Sequence, residues 1–280
     1  MKKEGMRRGL RLLLRQGLAG TISAILLLAV SAALASGGTR PVPVRRITRE
    51  TRLGPYSLLP AEEASLPSAL LAIDSLFALY PEGFFTRLVR EEGLTLILSG
   101  GMEPLTPDYP ENAGAFTVRE GGRTLILLDA SGGISRWTLM HELCHAADRL
   151  LARLGEEGEL DWSEESWLSL CPEGFDYFYC YKDESGRPLD LFGSPEYTAE
   201  AEGEAWFINR YSKTFPTEDR AVLFETLMRA GESADYLKSP HIRAKLARYF
   251  AALRSALDEK NRWGRVFWEE KLEAVIMGEG

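Results

Sequence analysis

The chain has 280 residues, 45% of them hydrophobic, and carries a formal net charge of −8. That size and apolar content suit one medium-sized globular domain with an appendage, and no low-complexity block or internal repeat argues for disorder or a solenoid. Setting residues 1–35 aside removes six basic residues and one acid, leaving 27 basic against 40 acidic side chains, a balance that excludes nucleic acid as the natural partner.

At the start, Lys2, Lys3, Arg7, Arg8, Arg11 and Arg15 precede an apolar run over residues 17–35 that closes on Ala33-Leu34-Ala35. A basic flank, an apolar centre and a small-residue end read as an export signal. The run is long enough to serve as an uncleaved membrane anchor instead. In either case the basic flank stays inside and the body is secreted, or held outside the cytoplasm by a membrane tether. Residues 36–65, rich in Gly, Pro, Arg and Thr, read as a linker, and residues 66–280 as the folded domain.

Apolar periodicity predicts helices over 67–79 and 84–91, separated by Pro81. The dense run 94–98 has strand length. Segments 116–118 and 124–128 flank Gly121-Gly122 and read as a hairpin. The second of these strands, just ahead of the next helix, is the expected sheet edge where a substrate peptide could add a strand.

Ser131 to Ser135 can cap the helix that follows. In it Trp137, Met140, Cys144, Ala147, Leu151 and Leu154 recur at three-four spacing, the mark of a helix packed on a core. His141-Glu142-Leu143-Cys144-His145, an HExxH pentapeptide, lies on this helix and holds two of the chain's three histidines. Positions i and i+4 share one helix face, so both imidazoles can grip one metal ion, and the adjacent carboxylate can take a proton from water held there. His141, His145 and Asp148 form a row beside the apolar stripe, at the edge of a cleft. Cys144 falls on the stripe and reads as a small core residue.

Residues 156–195 read as loop-rich, acidic and aromatic. Cys171 and Cys180 flank a short aromatic loop and could pair outside the cell. Helices return over 201–209, 217–229, 241–257 and 262–277. Strands first and helices after predict an α+β fold, a small mixed sheet followed by a helix-rich half.

A catalytic zinc takes three protein ligands and leaves one position open. His241 follows Pro240 and reads as a helix-start residue, which makes the third ligand a carboxylate. Glu218 is the best candidate, close to a packed face where a charge is costly without compensation. It could equally complement the positive end of its helix, and Glu202 and Glu204 are rival ligands.

The chain resembles the gluzincin-type metallopeptidases related to the catalytic domain of anthrax lethal factor, a group that includes secreted bacterial zinc peptidases. The resemblance rests on residues 141–148, read as HExxHxxD, and residues 211–224, read as Y-x6-E-x2-A-x2-F. Looser matches are Tyr80-Pro81-Glu82-Gly83-Phe84-Phe85 and Cys171-Pro172-Glu173-Gly174-Phe175-Asp176-Tyr177, and together they span about residues 66–230. The resemblance implies a zincin-like domain with His141, His145 and Glu218 as zinc ligands. It implies Glu142 as general base, Tyr211 as an oxyanion-stabilising hydroxyl, and Asp148 as a partner orienting a histidine. Cys144 departs from the glycine or other small residue the group often has there and could make the site oxidation-sensitive; the long insertion over 156–200 leaves substrate choice open.

The expected activity is hydrolysis of a peptide bond in a protein or peptide substrate by an exported zinc metallopeptidase. The alternatives are a zinc amidase acting on the cell wall, and a non-catalytic exported binding protein on a degenerate peptidase fold.

Overall fold

Alternation along a few short strands builds the molecule in layers. The computed structural model describes residues 40–182, 205–229 and 236–277. Its strands in chain order are β1 (Val44–Arg46), β2 (Thr51–Leu53), β3 (Tyr56–Leu58), β4 (Thr95–Ser99), β5 (Met102–Pro104), β6 (Ala115–Glu120) and β7 (Arg123–Asp129). β1, β4, β7 and β6 form one sheet in that order, parallel across β1–β4–β7 and antiparallel between β7 and β6. β2, β3 and β5 form a second, antiparallel sheet.

The four-stranded sheet is covered on both faces, and its sequence says why. Successive side chains on a strand point to opposite faces. Leu96, Leu98, Ile126 and Leu128 enter the main core with the helices, while Ile97, Leu125 and Leu127 pack with Tyr56, Leu58 and Met102 of the small sheet. Each fully buried leucine of this kind contributes about 1.5–3 kcal/mol. Gly121 and Gly122 have φ of 56° and 77°, as the two central residues of a type I′ turn require, and they lock Glu120 opposite Arg123.

The helices are α1 (Leu66–Phe77), α2 (Phe84–Glu92), α3 (Arg136–Glu156), α4 (Glu164–Leu168), α5 (Pro216–Met228), α6 (Pro240–Leu257) and α7 (Phe267–Met277). α3 is the centre of the fold. Ser135 caps it, its side chain accepting from Thr138 N. Its apolar side is buried from Leu139 through Leu154 against the sheet and against α5 and α6. The Trp162 carbonyl packs directly on Gly155, where any Cβ would collide, so the chain after α3 folds back tightly onto it.

The α+β class, with small sheets ahead of a helix-rich half, is as expected. Four expectations are corrected. Part of the expected linker is structured: β1, β2 and β3 pair into the two sheets, and Val42, Ile47 and Tyr56 are fully buried. Strands of three residues carry no readable period, and only their partners reveal them. β7 is not an edge strand; its Thr-Leu-Ile-Leu-Leu run is buried on both faces between β4 and β6, and β6 is the edge. Residues 205–209, expected to be helical, are not; residues 201–204 lie outside the described residues. α7 starts at Phe267 rather than 262, because Asp258 accepts from the amides of Arg262 and Trp263 at 2.7 and 3.0 Å and holds them in a turn. The leader lies outside the described residues, among which no helix is long and apolar enough to cross a membrane.

Candidate metal centre

Helical spacing on α3 sets His141 and His145 edge to face, with ring centroids 4.8 Å apart. The Nε2 atoms of both rings converge on one oxygen. Glu218 Oε2, from the first turn of α5, lies 3.0 Å from His141 Nε2 and 3.3 Å from His145 Nε2. The packing of α3 against α5 closes a sequence gap of 77 residues between His141 and Glu218. Ligand atoms of His141, Glu142 and His145 lie within 4.8 Å of one another.

These separations suit a cation. Bonds of about 2.0–2.1 Å at tetrahedral angles place neighbouring donors about 3.3 Å apart. The charges point the same way. Glu142, Glu218 and Glu225 are all buried around two imidazoles, and buried carboxylates demand a compensating positive charge. Burial alone pushes His141 down, but hydrogen bonds to Glu218 and Glu225 overcome it and raise the ring to about 10. Burial pushes Glu218 up, and the two histidines outweigh this, holding it far below the usual carboxylate range. The pocket therefore keeps a positive charge among its acids, on protons or on a metal ion.

Around this group stand residues the sequence did not single out. Glu225, seven residues beyond Glu218 on the same face of α5, meets His141 Nδ1 at 3.2 Å. A carboxylate at Nδ1 favours a proton there, which would leave Nε2 available to a cation. Thr117 on β6 donates its hydroxyl to Glu142 Oε2 at 2.6 Å. The Tyr181 hydroxyl donates to Glu218 Oε1 at 3.1 Å. A second acid seven residues from Glu218 was a readable signal; Thr117 and Tyr181 had none, since strand pairing and a loop deliver them.

Tyr211 sits on a 3-10 turn (Tyr211–Lys213) just ahead of α5. Its ring lies 6.5 Å from that of His141 and stacks on Tyr181 at 6.1 Å. Burial, and then the charge of Glu218, pushes both phenols well above their usual range, so both hydroxyls remain donors.

Compared with family models, with curated proteins and with solved structures, the chain has no match.

Asp148 does not take the expected role. It is buried, and its Oδ2 accepts from Arg220 Nε at 2.9 Å, while Glu225 is the acid that orients a histidine. The reason is charge: Asp148 and Arg220 are 2% and 3% exposed and each needs the other. The Arg220 guanidinium also lies over the Trp162 and Trp167 rings, at 5.3 and 5.1 Å. Arg220→Met leaves an uncompensated buried carboxylate, and urea unfolding should show a loss of about 3–5 kcal/mol. Asp148→Leu added to it should recover much of that loss.

Cys144 is buried, and burial pushes its thiol well above its usual range, which keeps it protonated and inert rather than oxidation-sensitive. Cys171 and Cys180 are free; Cys171 is buried with Sγ 3.5 Å from the Tyr177 hydroxyl, whereas Cys180 is exposed. His241 stacks on Trp206 near the start of α6, away from the metal group. Glu202 and Glu204 lie outside the described residues.

The cluster opens into a cleft of about 1340 Å³ walled by α3 and by the edge strand β6, with Ala115, Phe116 and Thr117 along one side. That exceeds the about 300–1,000 Å³ of ordinary small-molecule pockets.

Proposed function

We propose that the protein is an exported zinc-dependent metallopeptidase with a zincin-like catalytic domain. The observation that carries this reading is the convergence of His141 Nε2, His145 Nε2 and Glu218 Oε2 at 3.0 and 3.3 Å, with Glu142 beside them. Two imidazoles and one carboxylate are the donor set of a catalytic zinc site with an open position. The basic flank and apolar run of residues 1–35 support export.

When bound, such an ion supplies Lewis acidity, making water acidic enough to ionise near neutral pH and polarising a carbonyl. The residues of the chain do the rest. Thr117 fixes Glu142 through Oε2, and the other carboxylate oxygen accepts a proton from water and returns it to the departing amine nitrogen. Glu225 holds His141 in one orientation and tautomer. The Tyr211 hydroxyl donates to the carbonyl oxygen as negative charge develops there. The outer edge of β6 offers backbone donors and acceptors along the cleft, which suits an extended peptide added as a strand. A cleft larger than a small-molecule pocket, beside a strand edge that no described residue pairs with, favours a peptide over a compact substrate.

Tyr211→Phe should slow turnover about 100-fold with unchanged metal content. Equal turnover in a stopped assay on a cleaved peptide would remove the residue from the mechanism. The reading as a whole is tested by elemental analysis of the purified protein together with a quenched-fluorescence peptide library. Zinc at one equivalent, cleavage of library members, and loss and return of cleavage with chelator and added zinc are expected. Full zinc occupancy with no cleavage would overturn the peptidase reading; cleavage of cell-wall fragments in place of peptides would turn it into an amidase.

A further inference from the structure

On α3 the row that carries Glu142 continues, seven residues on, to Arg149, which lines the same cleft. Arg149 is half-buried and has neither an ion pair nor a hydrogen bond to any described residue. On β6 the face that presents Thr117 to Glu142 also presents Arg119, two residues along. Arg119 is exposed, likewise unpaired, and close enough for its charge to act on Arg149. Two guanidinium groups thus lie near one another, Arg149 partly desolvated in the cleft wall and Arg119 beside it on β6, neither with an ion pair to a described residue.

That arrangement is costly as it stands. A guanidinium cannot discharge itself by losing a proton. Burial first, and then the neighbouring Arg119, work against the Arg149 cation, and the charges of Glu92, Asp148 and Glu142 offset this only in part. The acids on the rim, Asp108, Glu111, Glu156, Glu164 and Glu165, are exposed and none pairs with Arg149. Their fields are screened over about 8 Å at physiological ionic strength, so they do not neutralise a half-buried cation. A planar carboxylate bound through two parallel hydrogen bonds would.

We propose that Arg149, assisted by Arg119, receives a carboxylate of the substrate, so that the enzyme prefers peptides bearing an Asp or Glu side chain, or a free C-terminus, near the bond that is cut. This rests on the peptidase reading above. It makes Arg149 a specificity residue that touches the substrate away from the reacting atoms. A neutral peptide leaves the guanidinium unpaired in the cleft; an acidic one pairs it.

The test uses the full chain loaded with zinc and peptides in matched sets: a cleaved neutral parent, the parent with Glu or Gln at each position near the cut, and the parent with a free or an amidated C-terminus. Binding is read by calorimetry on the Glu142→Gln variant, and kcat/KM on the chain with Glu142 intact. One acidic member should bind about tenfold or more tightly than its amide twin, the scale of a charge-assisted hydrogen bond. Arg149→Gln should erase that gap while kcat/KM for the neutral parent stays within about threefold, and Arg149→Lys should restore part of it. Whether the favoured member carries a side-chain or a terminal carboxylate assigns the source. No gap for any pair, or a gap unchanged by Arg149→Gln, would overturn the inference and leave peptidase activity standing. A gap in binding without any hydrolysis would strike the peptidase reading and keep the anion site.

Discussion

Glu142→Gln should lower peptide turnover about 10⁴-fold, the upper end of what a positioned proton carrier supplies, and leave zinc content unchanged. The geometry explains why the two readouts separate. On the proposed reading the metal donors are His141, His145 and Glu218, whose Oε2 is the oxygen near both rings, whereas Glu142 Oε2 is engaged by the Thr117 hydroxyl at 2.6 Å. Glutamine has the same shape and can still accept from Thr117, so the pocket should keep its form; it cannot take a proton from water at neutral pH. Single-turnover kinetics beside elemental analysis checks both halves. Turnover within tenfold of wild type would remove Glu142 as the base. Loss of zinc along with activity would make it a ligand instead.

Glu218→Ala should empty the site. Among the described residues its Oε2 is the one carboxylate oxygen within 3.3 Å of both Nε2 atoms, and α5 supplies no other described acid to them, since Glu225 is engaged at the far nitrogen of His141. Loss of a partner behind a ligand typically costs 10- to 100-fold in metal affinity, and loss of the ligand itself should cost more than about 100-fold. Competition with a zinc-chelating dye reads this directly, and activity should fall with occupancy and return only in large zinc excess. The variant should stay folded, because it removes a charge that is buried among acids. Full occupancy at stoichiometric zinc would show that another carboxylate completes the site.

The α3 helix is legible in the sequence itself. Trp137 to Leu154 at three-four spacing, with His141 and His145 one turn apart beside the stripe, specify a helix, its buried face and a pair of donors. Periodicity is a local property, so a helix of this length declares itself. The hairpin was legible for a similar reason: Gly121-Gly122 supports the two positive φ values that its turn needs. Glu218 was legible as a candidate only, because a carboxylate near a helix start has an ordinary electrostatic role as well.

What stayed hidden depends on contacts between distant segments. β1 to β3 are three residues each, too short to show a period, and exist as strands through their partners. Thr117 became a support for Glu142 because β6 lies at the sheet edge beside α3. Asp148 turned from the histidines to Arg220 because both are buried and opposite in charge. By itself the chain's order of residues determined the α3 helix, its two imidazoles, the adjacent Glu142 carboxylate and the α+β class, since each follows from spacing within one segment. The tertiary structure alone decided which of several acids meets both imidazoles, which strand borders the cleft, and that Arg149 stands there without an ion pair to any described residue. Charge compensation in a buried pocket is set by whatever the packing of separate elements brings within about 3 Å, and no local pattern records that.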